Sequence, residues 1–190
     1  MPLNAGHYVT YSRDWRMNGA PTTMFVENIP RIFLTGNTAV LTTQVMASTP
    51  IVLEVGQVVT NLTFVSGATA AGTPTNWWFA LYSRAATPAL LAQSADQLTA
   101  AWAANTAVTL ALATAQQITT SGTYWAAVMM KATTPNSLAG IVLENAAAAG
   151  ALVAGQVVLS QTSGSALVAT APATIATPTT TVGVPYVVAT

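Results

Sequence analysis

His7 and Asp14 are the residue pair with the clearest capacity for chemistry. His7 is the only histidine in the 190 residues, and a carboxylate that orients an imidazole can let it act as a base toward a hydroxyl nucleophile. The sequence has no nucleophile elbow and no motif typical of an oxyanion hole. It therefore predicts no catalytic role for this pair.

Carboxylates are the second class of residue that could support a reaction or bind a metal. Divalent cations need clustered oxygen ligands, and glycoside hydrolysis needs two carboxylates about 5–10 Å apart. The acids of this chain are scattered, and no two are spaced i, i+2 or i, i+4. We expect no cofactor, no metal site and no enzymatic activity. A Ca²⁺ site built mainly from backbone carbonyls in a loop is the one kind of metal site that the spacing of the acids leaves open. The acids are Asp14, Glu27, Glu54, Asp96 and Glu144.

An aromatic row, TNWWFALYSR at residues 75–84, is the most distinctive segment. Neighbouring side chains in a strand point to opposite faces. Trp77 and Phe79 should therefore share one face, and Trp78 and Tyr82 the other. One face should belong to the core, where large aromatic side chains contribute a few kcal/mol each.

The face that carries Trp78 and Tyr82 has three interpretations. A subunit, the N-terminal segment or a loop could cover it, it could stack on sugar rings, or it could lie exposed. Sugar sites usually combine aromatic residues with carboxylates or amides, and only Arg84, Asn76 and Gln93 are near in sequence. We expect protein to cover the face, and we assign Trp78 and Tyr82 to an oligomer interface, or to a ligand in the alternative.

The composition excludes several classes of partner. Charged residues make up 5% of the chain, against about 25% in an ordinary soluble domain. There is no cluster of Lys and Arg for nucleic acid or an anionic membrane, no apolar run of about 20 residues for a membrane span, and no signal-peptide pattern. There is also no cysteine. An uncharged, Thr-rich surface can be buried without desolvating ions, which suits assembly.

Charge is concentrated at the start of the chain, where five of the ten ionic residues lie within residues 1–31. Aromatic residues, prolines and the turn signal NGAP accompany them. We predict an extended arm or edge subdomain over residues 1–46 that makes specific polar contacts, followed by one β-sandwich domain over 47–190 with a Thr- and Ala-rich C-terminal segment. The contact candidates are His7, Tyr8, Arg13, Asp14, Trp15, Arg16 and Arg31.

The rest of the chain has the pattern of an all-β protein. Short segments rich in Val, Thr, Trp and Tyr recur at about 8–12-residue spacing between turn signals, which predicts an antiparallel β-sandwich of jelly-roll or Greek-key type. Gly36-Asn37 should be a turn between two short strands. TTSGTY at 119–124 resembles a tyrosine corner, with Tyr124 opening a strand. Residues 94–104 should form a loop with at most one turn.

The C-terminal quarter combines two signals. Its Thr, Ala, Ser and Pro content is typical of a flexible stalk. β-Branched residues nevertheless alternate with others, up to PYVVAT at 185–190. We predict partial order, with a last strand that closes a sheet.

Four stretches between residues 53 and 140 carry a family resemblance: VTNLTFVSG, GTPTNWWFALY, LLAQSAD and GTYWAAVMMKA. With them, about half of the chain resembles a β-sandwich module encoded in actinobacterial phages and prophages. The resemblance implies a structural protein of the virion, assembled in the cytoplasm of the bacterial host.

Two roles are compatible with that resemblance. The first is a capsid decoration or head-fibre protein, often trimeric, whose N-terminal arm binds the major capsid protein. The second is a tail or fibre protein whose sandwich binds a host glycan. The charged arm ahead of a nearly uncharged body favours decoration, since charges at an interface fix orientation and register.

Overall fold

The computed structural model describes residues 25–190, and this part of the chain is almost entirely β. Antiparallel sheets pack against each other, which confirms the expected β-sandwich. Two short 3₁₀ turns, Arg31–Phe33 and Ala146–Ala149, are the helical elements of the described residues. The strands are β1 (Val26–Glu27), β2 (Gly36–Asn37), β3 (Met46–Leu53), β4 (Val58–Val65), β5 (Gly72–Tyr82), β6 (Leu90–Gln93), β7 (Ala107–Gln117), β8 (Gly122–Thr134), β9 (Ala139–Val142), β10 (Gln161–Ser163), β11 (Thr179–Thr180), β12 (Gly183–Pro185) and β13 (Val187–Ala189).

Three sheets make up the fold. The larger sheet of the sandwich has the order β11-β10-β3-β8-β5-β6, and the smaller one has the order β1-β13-β4-β7. A three-stranded sheet, β12-β9-β2, adds to them. Every strand pairing is antiparallel, and β3, β4 and β5 lie alternately in the larger, the smaller and again the larger sheet.

The core between the two sheets of the sandwich, here the inner core, follows from alternation along the strands. Trp77 and Phe79 face inward from β5, as predicted. The ring centroids of Phe79 and Phe64 are 4.8 Å apart, which joins the two sheets. Trp102 stacks on Trp77 with a centroid distance of 5.0 Å and an interplanar angle of 23°. Burial of these rings stabilises the fold by a few kcal/mol for each residue.

Asp96 fixes the loop that supplies Trp102. Its Oδ1 accepts the backbone N–H of Trp77 at 2.9 Å and that of Leu98 at 3.2 Å. Its Oδ2 accepts the Asn76 amide at 2.5 Å. The segment 94–104 is a loop with one turn, as expected, and this carboxylate holds it against the start of the aromatic row.

The tyrosine corner is confirmed. Tyr124 is buried near the start of β8, and its phenol donates a hydrogen bond to the carbonyl of Thr120 at 2.8 Å. Tyr124 faces the inner core, whereas Trp125 faces the opposite side of the sheet. Neighbouring residues of β8 therefore point to opposite faces, as expected for a strand.

Residues 25–46 contribute strands to the body. Val26 and Glu27 pair with Ala189 and Val188, so β1 is an edge of the smaller sheet. Gly36-Asn37 is not the predicted turn, because it forms β2 and pairs with β9. The domain boundary at residue 46 stays a prediction. Residues 1–24, which begin the predicted arm, lie outside the described part of the chain.

The predicted last strand is present as β13, between β1 and β4. Val187 and Ala189 are fully buried in the inner core. The segment before this strand is ordered as well, with β10 paired to both β3 and β11. Within residues 25–190, no helix is long and apolar enough to cross a membrane.

Candidate functional site

The outer face of β5 carries the two aromatic residues assigned to an oligomer or ligand interface. Trp78 and Tyr82 are both 0% exposed. They lie beneath residues 164–178 of the same chain, which we call the C-terminal cover. The prediction that protein covers this face is confirmed. The assignment to a trimer interface or a glycan is wrong, because the C-terminal cover already occupies the face.

The two aromatic side chains also hold the C-terminal cover through hydrogen bonds. The indole N–H of Trp78 donates to the carbonyl of Val168 at 2.7 Å, and the phenol of Tyr82 donates to that of Pro172 at 2.8 Å. Most of this segment has no regular structure, so its backbone groups need other partners. This segment and the outer face of the sheet share a second apolar cluster, the outer core. It is composed of Met46, Trp78, Ala80, Tyr82, Trp125, Ala127, Met129, Ala171 and Ile175.

Gln93 ties the C-terminal cover to the edge strand β6. Its amide donates to the carbonyl of Ala169 at 2.7 Å and accepts the N–H of Ala171 at 2.6 Å. Two of the three polar residues near the aromatic row therefore have structural roles, since Asn76 bonds Asp96. Arg84, the third, lines the cleft described below.

Tyr82 stays protonated under ordinary conditions. Burial raises the pKa of its phenol well above the usual value, since the phenolate would lose its hydration. The phenol therefore remains a donor to Pro172.

Arg31 is the one candidate of the N-terminal arm that the structure describes. It follows β1 in the 3₁₀ turn, and its Nε lies 3.9 Å from Oε2 of the buried Glu27. The same oxygen accepts the phenol of Tyr186 at 2.8 Å. The other candidates lie outside the described residues, and these are His7, Tyr8, Arg13, Asp14, Trp15 and Arg16.

Two apolar side chains project next to Arg31. Ile32 is 78% exposed and Phe33 is 57% exposed. The turn Arg31–Phe33 contains no buried residue. It therefore presents a cation and two large apolar groups a few residues after β1.

A cleft of about 550 Å³ opens where the outer core meets the C-terminal cover. This volume is within the range of small-molecule sites, about 300–1,000 Å³. Arg84 comes from the β5–β6 loop, Trp125 from β8 and Gln161 from β10, while the C-terminal cover supplies one wall. The lining residues are Arg84, Ala85, Ala86, Thr87, Pro88, Thr123, Trp125, Val157, Gln161, Ile175, Ala176, Thr177 and Pro178.

The described residues contain no group of three or more His, Asp and Glu side chains that could hold a metal ion. Asp96 is engaged by three N–H donors, and Glu27 by Tyr186 and Arg31. The carboxylates at both of these positions thus stabilise local structure. The expectation that the protein is not an enzyme remains a prediction.

No protein-family model matches this chain, and no curated protein sequence matches it. The site must therefore be interpreted from its own residues.

Sequence reasoning found only part of this region. Alternation along a strand places Trp125 and Tyr124 on opposite faces without showing which face is the outer one, and Arg84 was noted beside the aromatic row. Gln161 was missed, because it comes from a strand of three residues that reaches the cleft only through its pairing with β3. No periodicity in so short a strand could have indicated it.

Proposed function

We propose that this chain is a structural protein of a bacteriophage virion, and that it decorates the capsid by binding the major capsid protein through its N-terminal region. The phage origin rests on the resemblance of residues 53–140. The choice of decoration rests on one observation, the exposed turn Arg31–Phe33, which follows the charged N-terminal segment in the chain.

Charge distribution supports this role. Residues 1–24 contain Arg13, Asp14 and Arg16, whereas residues 25–190 contain seven ionic side chains in total. Docking through the charged end would leave a nearly ion-free body pointing outward. Phe and Arg, two of the three residue types in this turn, are enriched at protein interfaces.

The turn Arg31–Phe33 is a favourable place for such contacts. It follows β1, which is hydrogen-bonded to β13, so its backbone position is fixed by the sheet before any partner binds. Preorganisation of this kind reduces the entropy that binding must overcome.

We also propose that the protein is a homotrimer, as the resemblance implies. Trp78 and Tyr82 take no part in that contact, since both are fully buried within one chain. Sedimentation equilibrium of the full chain should give about three times the mass of 19.5 kDa. A monomer at micromolar concentration would contradict trimer formation without affecting the proposed attachment.

Particle binding tests the proposed attachment. We expect Ile32→Ser with Phe33→Ser to weaken co-sedimentation of the full chain with empty heads of the encoding phage by about tenfold or more. Leu152→Ser with Val153→Ser is a matched control, because those side chains are 65% and 69% exposed at a different place. Equal binding by both double variants would contradict the role of the turn.

Removal of residues 1–24 tests the charged segment itself. The truncation should stop at residue 24, since Val26 is buried and paired in the smaller sheet. We expect a folded β-rich protein that no longer binds heads. Immunogold labelling of intact particles provides an independent test, because label confined to the tail would contradict decoration.

A further inference from the structure

The cleft between the outer core and the C-terminal cover contains polar groups that the protein itself leaves unused. Trp125 is 7% exposed and Gln161 is 4% exposed, so both side chains are more than nine-tenths buried. Among residues 25–190, neither the Trp125 indole nor the Gln161 amide has a hydrogen-bond partner. The other described tryptophans each donate to a backbone carbonyl.

These two polar groups are open to the cleft. A few polar side-chain atoms of the described residues have neither solvent contact nor a hydrogen-bond partner. The Trp125 N–H and the Gln161 amide are not among them. Both groups therefore retain solvent contact, and the cleft is the space that both residues line. A ligand in the cleft would satisfy donors that lost most of their hydration on folding.

Arg84 adds a positive charge to the same cleft. It makes no ion pair within the described part of the chain. The guanidinium side chain lies against Gly122, where a Cβ atom would come within 2.5 Å of the Arg84 Nε. The missing side chain at position 122 thus lets Arg84 pack along the start of β8, at the edge of the cleft that it lines.

The remaining lining residues define the shape of the ligand. None of them is acidic, so the cleft attracts acceptor atoms, above all a carboxylate that can bind the arginine fork. Thr87, Thr123 and Thr177 supply hydroxyl groups that have no partner among residues 25–190, and these suit a ligand with several hydroxyls. Pro88, Pro178 and Ile175 offer apolar walls for its C–H groups.

We propose that this cleft binds an acidic saccharide unit, a sugar of the uronic acid type whose carboxylate is bound by Arg84. Trp125 and Gln161 bind ring or carboxylate oxygens through N–H groups, and the threonines bind hydroxyls. Because Trp125 is almost fully buried, it acts as a hydrogen-bond donor and not as a stacking platform. The inference goes beyond capsid decoration and applies equally to a protein on the head or the tail.

Nuclear magnetic resonance of the ¹⁵N-labelled full chain tests the proposal. The probes are glucuronate, glucose and acetate, each at tens of millimolar. We expect glucuronate to shift the Trp125 indole N–H resonance, which a Trp125→Phe sample identifies. Glucose lacks the carboxylate and acetate lacks the ring, so each should bind at least about tenfold more weakly.

Two charge-neutralising variants sharpen the test. Arg84→Gln should weaken glucuronate binding about tenfold or more, since the charge-assisted hydrogen bonds are lost. Lys131→Gln is the matched control, because Lys131 lies on β8 about 20 Å from Trp125 by strand geometry. Arg84 is on the surface, so this variant should fold even if Trp125→Phe does not.

Three results would overturn the proposal. They are no shift of the Trp125 resonance with glucuronate, equal binding of glucose or acetate, and equal weakening by the Arg84 and Lys131 variants. Binding of Arg84→Gln to phage heads should be unchanged, so failure of the saccharide site and failure of the decoration role remain distinguishable.

Discussion

The two faces of β5 and β8 bury aromatic residues in different ways. On the inner face, Trp77 and Phe79 pack against side chains of the smaller sheet and the loop of Trp102. On the outer face, Trp78 and Tyr82 pack beneath the C-terminal cover, which is mostly irregular. A sheet satisfies its own backbone groups by pairing. The C-terminal cover depends instead on side chains of the sheet that it covers.

An irregular segment can therefore close a core when the buried side chains supply its hydrogen bonds. Trp78, Tyr82 and Gln93 together engage the backbone of Val168, Ala169, Ala171 and Pro172. The outer core should accordingly open locally, whereas loss of the inner core should unfold the whole domain.

Truncation of Phe79 should have the largest effect. Phe79 is fully buried at the centre of the inner core, and Phe79→Ala should lower the free energy of unfolding by about 3–5 kcal/mol. Urea denaturation followed by circular dichroism and by tryptophan fluorescence should give a single coincident transition. A transition confined to the fluorescence signal would contradict the global role of this face.

Neighbouring tryptophans provide a matched pair across the two faces. Trp77→Phe and Trp78→Phe remove the same ring area and one indole-to-carbonyl hydrogen bond each, to Ala100 and Val168 respectively. Each should cost about 2 kcal/mol. Only Trp78→Phe should increase protease cleavage within residues 164–178. Equal cleavage in both variants would show that the C-terminal cover is not an independent unit.

Loss of Gln93 should loosen the C-terminal cover with little effect on the sheets. Gln93→Ala removes two hydrogen bonds to its backbone, at a cost of about 1–2 kcal/mol. Hydrogen exchange measured by mass spectrometry should accelerate in peptides from residues 164–178. Gln97→Ala is the control, because within the described residues the side-chain amide of Gln97 bonds only to the nearby Ala95 carbonyl, and its backbone bonds are kept in the variant. Acceleration in that variant would contradict the prediction.

Alkaline pH tests the burial of Tyr82 in the outer core. Because burial raises the pKa of Tyr82 in the folded state, its contribution to stability is complete below the unfolded value of about 10 and is lost as the pH rises above it. The wild type should lose about 1.4 kcal/mol more per pH unit than Tyr82→Phe in that range. Parallel curves of unfolding free energy against pH would contradict the assignment.

Local patterns predicted much of the inner core. Period-two alternation assigned Trp77 and Phe79 to one face and Trp78 and Tyr82 to the other, and the glycine before Tyr124 indicated the tyrosine corner. These features depend on contacts within a strand or a single turn, so the local sequence contains the necessary information.

Features that depend on distant pairing were not predictable. Gly36-Asn37 has the composition of a turn but is held as a strand by Gly140 and Ala139. The identity of the C-terminal cover could not be inferred either, because the alternation of its β-branched residues is typical of a strand, whereas the segment is mostly irregular. The place of Gln161 in the cleft was not predictable either, because it depends on the register of β10 with the distant strand β3.

The position of β13 has a consequence for the kinetics of folding. This strand lies between β1 and β4, and its pairings join Val26 to Ala189 and Phe64 to Val187. Each pairing closes a loop of more than a hundred residues, so chain entropy must be lost before these contacts contribute any stability. Refolding from denaturant should therefore take milliseconds to seconds, and completion of the smaller sheet should be among the last events.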